Sequence, residues 1–249
     1  MRYFLELAYN GTRFFGWQRQ PNAISVQQRI EETLSILLRN PTTIMGCGRT
    51  DTGVHAAQYF AHFDTEQVLT DQFVHQMNGI LKRDIVIYRV IRVEDAAHTR
   101  FDARSRSYRY YVDLKRNPFR QETAYFYPYA RHLNIDLMQE AAQLLLEFKE
   151  FDTFCKTNTD AKTRTCDLRR SEWVYDEQEQ QLVYHVTADR FLRGMIRLIV
   201  GMCLNVARGK YALDDVRAAL EQQLSLKHAL SAPAEGLFLC DIKYDYIDG

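Results

Sequence analysis

An apolar run interrupted by Glu6 extends from Tyr3 to Tyr9 and predicts a short strand, which the turn pair Asn10-Gly11 ends. Phe14 to Pro21 mixes aromatic and basic residues and reads as a loop. From Ser25 the period changes. Val26, Ile30, Leu34, Leu37 and Leu38 recur at helical spacing, Ser25 and Gln28 stand as a capping box, and Asn40-Pro41 is a stop. A short strand at Thr42 to Cys47, a glycine-flanked loop at Gly48 to Gly53 and a longer strand from Val54 to Phe63 follow. Thr70 to Leu81 carries Phe73, Met77, Ile80 and Leu81 on one helical face, and Ile85 to Val93 reads as another strand.

This order is β-α-β-β-α-β, and the second half repeats it. Ser107 to Leu114 is a strand, Asn134 to Phe148 a helix, Glu172 to Tyr175 with Leu182 to Thr187 a hairpin, Phe191 to Ala207 a helix, and Leu237 to Tyr244 a closing strand. A short helix over Asp214 to Gln223 precedes that strand. The expected fold class is α+β: two pseudo-symmetric ferredoxin-like halves, residues 1–104 and 105–249, with largely antiparallel sheets and a cleft between them. No Gly/Ser-rich or Pro-rich linker separates the halves.

Composition narrows the class. The 249 residues are 46% apolar and 26% charged with 11 Gly and 5 Pro, which excludes collagen-like and largely disordered readings. Lys plus Arg equals Asp plus Glu at 32 each, and the pI near 7.0 argues at face value against nucleic acid. Five cysteines, odd in number and without a C-x-x-C pair, fit a reduced, cytoplasmic compartment. No signal pattern opens the chain, and its most apolar run, Met195 to Val206, is broken by Arg197, so no membrane partner is expected.

Candidate chemistry concentrates at Gly48-Arg49-Thr50-Asp51-Thr52-Gly53-Val54-His55-Ala56, where a carboxylate stands at the tip of a tight loop. Asp51 suits a covalent nucleophile, because a carboxylate needs no activating base; an Asx-turn is the plain structural alternative. Asp51-Thr52-Gly53 also spells the D-T-G of aspartic proteases, but that chemistry needs a second carboxylate, and without another D-T-G or D-S-G a dimer would have to supply it. P-loop, H-E-x-x-H, G-x-S-x-G and dinucleotide fingerprints are absent, so no cofactor is indicated. The histidines lack metal-ligand spacing, so no metal is expected; His55 and His62 read as ordinary strand residues.

Two further patterns stand out. From Arg100 to Arg120, basic residues alternate with Phe101, Tyr108, Tyr110 and Tyr111, as a half-buried strand or a surface for phosphates and bases would have it. Arg190, Arg193 and Arg197 recur at i, i+3, i+7, and Arg197 lies among apolar residues, where a buried guanidinium calls for an acidic partner.

Together with His98-Thr-Arg-Phe101, Tyr108-Arg109-Tyr110 and Phe191-Leu-Arg-Gly-Met195-Ile-Arg197-Leu-Ile-Val-Gly201, the Asp51 loop resembles the TruA family of tRNA pseudouridine synthases. Tyr9-Asn-Gly-Thr, Phe15-Gly-Trp17, Thr163-Arg164-Thr165 and Glu235-Gly-Leu237 extend the resemblance over nearly the whole chain. It implies a cofactor-free isomerisation of uridine to pseudouridine at positions 38 to 40 of the tRNA anticodon arm, by a homodimer. By the same resemblance Asp51 is the nucleophile, on the sugar or on the uracil ring. Tyr108 stacks on the target base and carries a proton, and Arg197 pairs with Asp51. Arg49, Arg164 and Arg193 join Tyr108 in substrate binding. A non-catalytic RNA-binding module is the competing reading.

The resemblance also reinterprets the neutral charge. Residues 100–120, 156–170 and 189–210 together carry 17 basic against 5 acidic residues, so neutrality excludes only a uniformly basic surface.

Overall fold

The computed structural model describes residues 1–155 and 163–247. The chain forms a mixed α+β structure whose strands pair mostly antiparallel, and it divides into two compact units. The first is Met1–Arg106 joined by the chain from Phe238 onward; the second is Ser107–Leu237. The division expected at 104/105 differs in two respects: the boundary falls after Arg106, and the closing strand belongs to the first unit from Phe238 onward.

In the first unit, strand β1 (Arg2–Tyr9), helix α1 (Val26–Leu38), the two-residue strand β2 (Met45–Gly46), β3 (His55–Asp64), α2 (Asp71–Leu81) and β4 (Ile85–Val93) follow the expected order. The strand expected over Thr42 to Cys47 is thus reduced to two paired residues. β1 lies between β4 and β3, antiparallel to both, while β2 pairs antiparallel and the closing strand parallel with β3. Tyr3 to Leu7 are buried without alternation, because both faces of this central strand are covered. Leu5 and Leu7 share one face with Tyr59, Ala61 and Phe63, and Phe4 and Glu6 share the other with Phe60 and His62.

Only half of the capping box at α1 forms. Ser25 Oγ accepts from Gln28 N–H (3.2 Å), but the Gln28 amide donates to Glu32 (2.8 Å). On α2, Phe73 and Met77 are buried, whereas Ile80, expected on the apolar face, is exposed. Asn78 instead faces the outer edge of β4, where its amide donates to Ile87 C=O and accepts from Ile87 N–H, both at 2.8 Å, and blocks further strand pairing there.

On the sheet face bearing Phe4, the His62 ring is buried and its Nδ1 accepts from Thr99 N–H (3.3 Å). Burial, reinforced by Arg2 and His98, depresses His62 from 6.5 to about 4. A base depressed by folding contributes stability that is complete above its unfolded value and lost as pH falls. Between pH 6.5 and 4 the loss is expected to be on the order of 2 kcal/mol. In urea unfolding measured across that window, His62→Gln should flatten the decline; an unchanged slope would assign it to other groups.

The second unit contains β5 (Ser105–Asp113, shared at its start with the first), β6 (Tyr125–Phe126), α3 (Ile135–Leu144), β7 (Leu168–Asp176), β8 (Gln181–Ala188), α4 (Met195–Ala207) and α5 (Leu213–Glu221). Its strands run β5-β8-β7, and β6 pairs parallel with β5. The expected hairpin is present and longer, with Gln180 in the left-handed region at its turn. Helix α3 is shorter than expected because its last turn tightens into a 3-10 turn over Leu145–Glu147. α3 packs on α4, and α4 is buried on nearly every side, which is why its sequence is apolar all round. The closing strand is β9 (Leu237–Lys243). Among the described residues no helix is long and apolar enough to cross a membrane.

Candidate active site

Asp51 is half-buried on the loop between β2 and β3, and the segment after β1 clamps that loop from several sides. Trp17 N–H donates to Thr50 C=O (3.2 Å), Tyr9 OH pairs with Thr50 Oγ1 (2.9 Å), and Gly53 N–H donates to Phe14 C=O (3.4 Å). Tyr59 OH donates to Gly48 C=O, and its ring stacks on Trp17 at 4.0 Å. Asp51 C=O accepts from Val54 N–H (3.2 Å), closing a turn in which Gly53 takes a positive φ of 78°.

Two glycines of the clamp fit only as glycines. Gly16 has φ 79°, and a Cβ there would lie 2.4 Å from Thr50 O; one on Gly11 would lie 2.0 Å from Val54 O. The Tyr9-Asn-Gly-Thr and Phe15-Gly-Trp17 motifs therefore act on the Asp51 loop through backbone contact. His55 is a structural ring, as expected: its Nδ1 accepts from Gly11 N–H (3.1 Å) and it stacks on Phe238 at 4.4 Å. Arg49 is exposed on the same loop.

In the second unit, Tyr108 lies on β5, half-buried, with its ring edge-on to Phe191 at 5.2 Å. Two residues on, Tyr110 is fully buried on the same strand face, and its hydroxyl donates to Pro233 C=O (2.7 Å). Burial, with Glu235 nearby, pushes the Tyr110 phenol far above its ordinary value, so it serves as a neutral donor.

The arginine stripe is corrected by the structure. Helix α4 begins at Met195, after Gly194 in the left-handed region (φ 72°), so Arg190 and Arg193 lie on the preceding loop and only Arg197 is helical. The periodicity was continuous across a glycine whose backbone breaks the helix. Arg190 donates to Thr163 Oγ1 (3.0 Å), and Arg193 is exposed two residues after Phe191.

Arg197 Nε donates to Ala232 C=O (2.6 Å), and Ala232 N–H donates back to Arg197 C=O (2.9 Å). Part of what was expected of an acidic partner is thus met by a backbone carbonyl. The segment before β9 is consequently a second support: Ala232 holds Arg197, Pro233 holds Tyr110, and Gly236 packs on the Tyr110 ring. The Glu235-Gly-Leu237 motif was the one sequence signal pointing there. Arg164 lies elsewhere in this unit, ion-paired with Asp152 (2.9 Å) and touching Cys155 Sγ (3.4 Å). Residues 156–162 of the basic stretch at 156–170 lie outside the described residues.

Known proteins are similar to this chain over nearly its whole length. The family described as tRNA pseudouridine synthase matches residues 141–245. A tRNA pseudouridine synthase A of Azobacteroides pseudotrichonymphae is 45% identical over 244 residues, covering 98% of this chain and 96% of the relative. That of Parabacteroides distasonis is 44% identical with the same coverage of both chains, and that of Staphylococcus aureus strain JH1 is 36% identical over 98% of this chain and 91% of its own. With such identity spanning both units, the chain belongs to the tRNA pseudouridine synthase A (TruA) family.

Proposed function

We propose that this protein isomerises uridine to pseudouridine at positions 38 to 40 of the tRNA anticodon arm, with Asp51 as nucleophile. The observation that supports this most is Asp51 itself: a carboxylate on a turn whose flanking backbone is held by Trp17 and Phe14 and whose Thr50 hydroxyl is held by Tyr9. An RNA-binding module gains nothing from an acid there, where it repels phosphate.

The reaction breaks the bond from the sugar C1′ to N1 and forms one to C5; the C5 proton leaves and N1 gains one. The bond from Asp51 to substrate forms and breaks within the cycle, so nothing is oxidised and no cofactor enters. Arg197 holds the carboxylate as an ion pair. Tyr108 stacks on the uracil and helps carry the C5 proton away, since a planar face tolerates the turning of a ring. Arg49 and Arg193, both exposed, hold the flipped nucleotide and its phosphates, and Arg164 joins them by exchanging Asp152 for phosphate.

The order β4-β1-β3 with β2 beyond β3 in the first unit, and β5-β8-β7 in the second, supports two ferredoxin-like halves. The enzyme acts as a cytoplasmic homodimer.

Unmodified tRNA incubated with the protein should acquire carbodiimide-reactive stops in reverse transcription at positions 38 to 40. No new stops anywhere would overturn the isomerase reading. Tyr108→Phe should slow turnover roughly tenfold and Tyr108→Leu more, by loss of the proton carrier and then of the stacking face. Full activity in the Phe variant would remove the proton-carrying role.

A further inference from the structure

We propose that Phe101, with Arg100, is a stacking platform for an unpaired base of the tRNA next to the one being isomerised. The inference rests on the tRNA reading above and names a binding subsite of that same enzyme.

Phe101 is 74% exposed on the turn after β4, yet the turn beneath it is closely bonded. Thr99 is fully buried; its hydroxyl donates to Met45 C=O (3.0 Å) and its carbonyl accepts from Tyr244 OH (2.5 Å). Asp102 accepts from His98 N–H and from Tyr246 OH, both at 2.7 Å. His98 Nδ1 accepts from Arg100 N–H (3.1 Å) and Phe101 N–H (3.4 Å).

His98 lies against the ring at 4.2 Å, tilted by 34°, and the Arg100 guanidinium carbon lies over it, 5.7 Å from its centroid. Burial, against the opposing pull of Asp102, lowers the His98 pKa, which favours the neutral acceptor form the turn uses. A large apolar ring is thus fixed in water beside a cation, as single-stranded nucleic acid requires: a face for the base and a charge for its phosphate.

The platform is tied to the Asp51 loop within the same unit. Arg106 donates from one guanidinium nitrogen to Arg100 C=O (2.8 Å) and Cys47 C=O (3.0 Å), and Thr99 holds Met45 as described. Both bonds reach the strand end from which the loop departs. Flipping a base out of the anticodon arm unstacks its neighbour, and a ring anchored to the base of the catalytic loop is available to that neighbour.

The test uses full-length enzyme and an unmodified anticodon stem-loop carrying 2-aminopurine beside the target uridine. Wild-type enzyme should quench the fluorophore by stacking, Phe101→Ala should abolish the quench and raise Kd and KM about tenfold with kcat within about twofold, and Phe101→Trp should restore both. Phe101→Leu should behave like Phe101→Ala. An Ala variant with wild-type Kd and quench, in a wild type that forms pseudouridine, would overturn the platform alone. Leu rescuing as well as Trp, or a change of oligomeric state in the Ala variant, would overturn stacking in favour of an apolar or protein contact. A wild type that neither binds nor modifies the stem-loop would overturn the tRNA reading itself.

Discussion

Asp51→Asn should leave the fold and tRNA binding intact while cutting pseudouridine formation by at least about a thousandfold, because an amide of the same shape is not a carboxylate nucleophile. The substitution keeps the supports of the loop. They run through the backbone of residues 48, 50 and 51 and through the Thr50 hydroxyl: Thr50 C=O from Trp17, Gly48 C=O from Tyr59, and Asp51 C=O from Val54. Thermal unfolding and tRNA gel shift should therefore match wild type, and carbodiimide mapping alone should change. Activity within tenfold of wild type would place the nucleophile elsewhere.

Gly201→Ala should destabilise the protein by about 2–3 kcal/mol and lower kcat beyond what residual folding explains. A Cβ on Gly201 would lie 1.8 Å from the Leu230 carbonyl oxygen and 2.7 Å from its carbon, so α4 and the segment over it must separate. Ala232, two residues along that segment, is where Arg197 is held, so the displacement reaches the guanidinium. Gly79→Ala on α2 is the control. Nothing stands within 4 Å of its Cβ position, and a helical Gly to Ala change in open space should stabilise by about 0.5–1 kcal/mol. Urea midpoints for the two variants, with kcat measured where each is fully folded, separate the effects. A Gly201→Ala protein as stable and active as the control would show that the segment yields without cost.

The places where pattern and structure part are local and have physical causes. The succession of strands and helices along the chain was legible because buried faces impose their period on it, as in α1 and β3. The start of α4 was not, because the apolar spacing passes unbroken through Gly194, whose left-handed backbone leaves no mark on hydrophobicity. The Gln28 amide bonds Glu32 one turn along the helix, a pairing that the capping-box spacing did not announce. Ile80 kept helical spacing yet remained exposed on α2.

By itself, the sequence determined the α+β class, the succession of elements and the family, and through that resemblance it singled out the residues proposed for the chemistry, Asp51, Tyr108 and Arg197; side-chain type and spacing carry the motifs directly. Tertiary structure alone decided how those residues are held, because backbone carbonyls and N–H groups do most of the holding and every residue has them. Thr50, Gly48 and Ala232 act through main-chain atoms, and Gly11, Gly16 and Gly201 act by having no side chain where another backbone passes. The same holds for Phe101: its letter marks an aromatic residue, and only the folded turn leaves that ring in water.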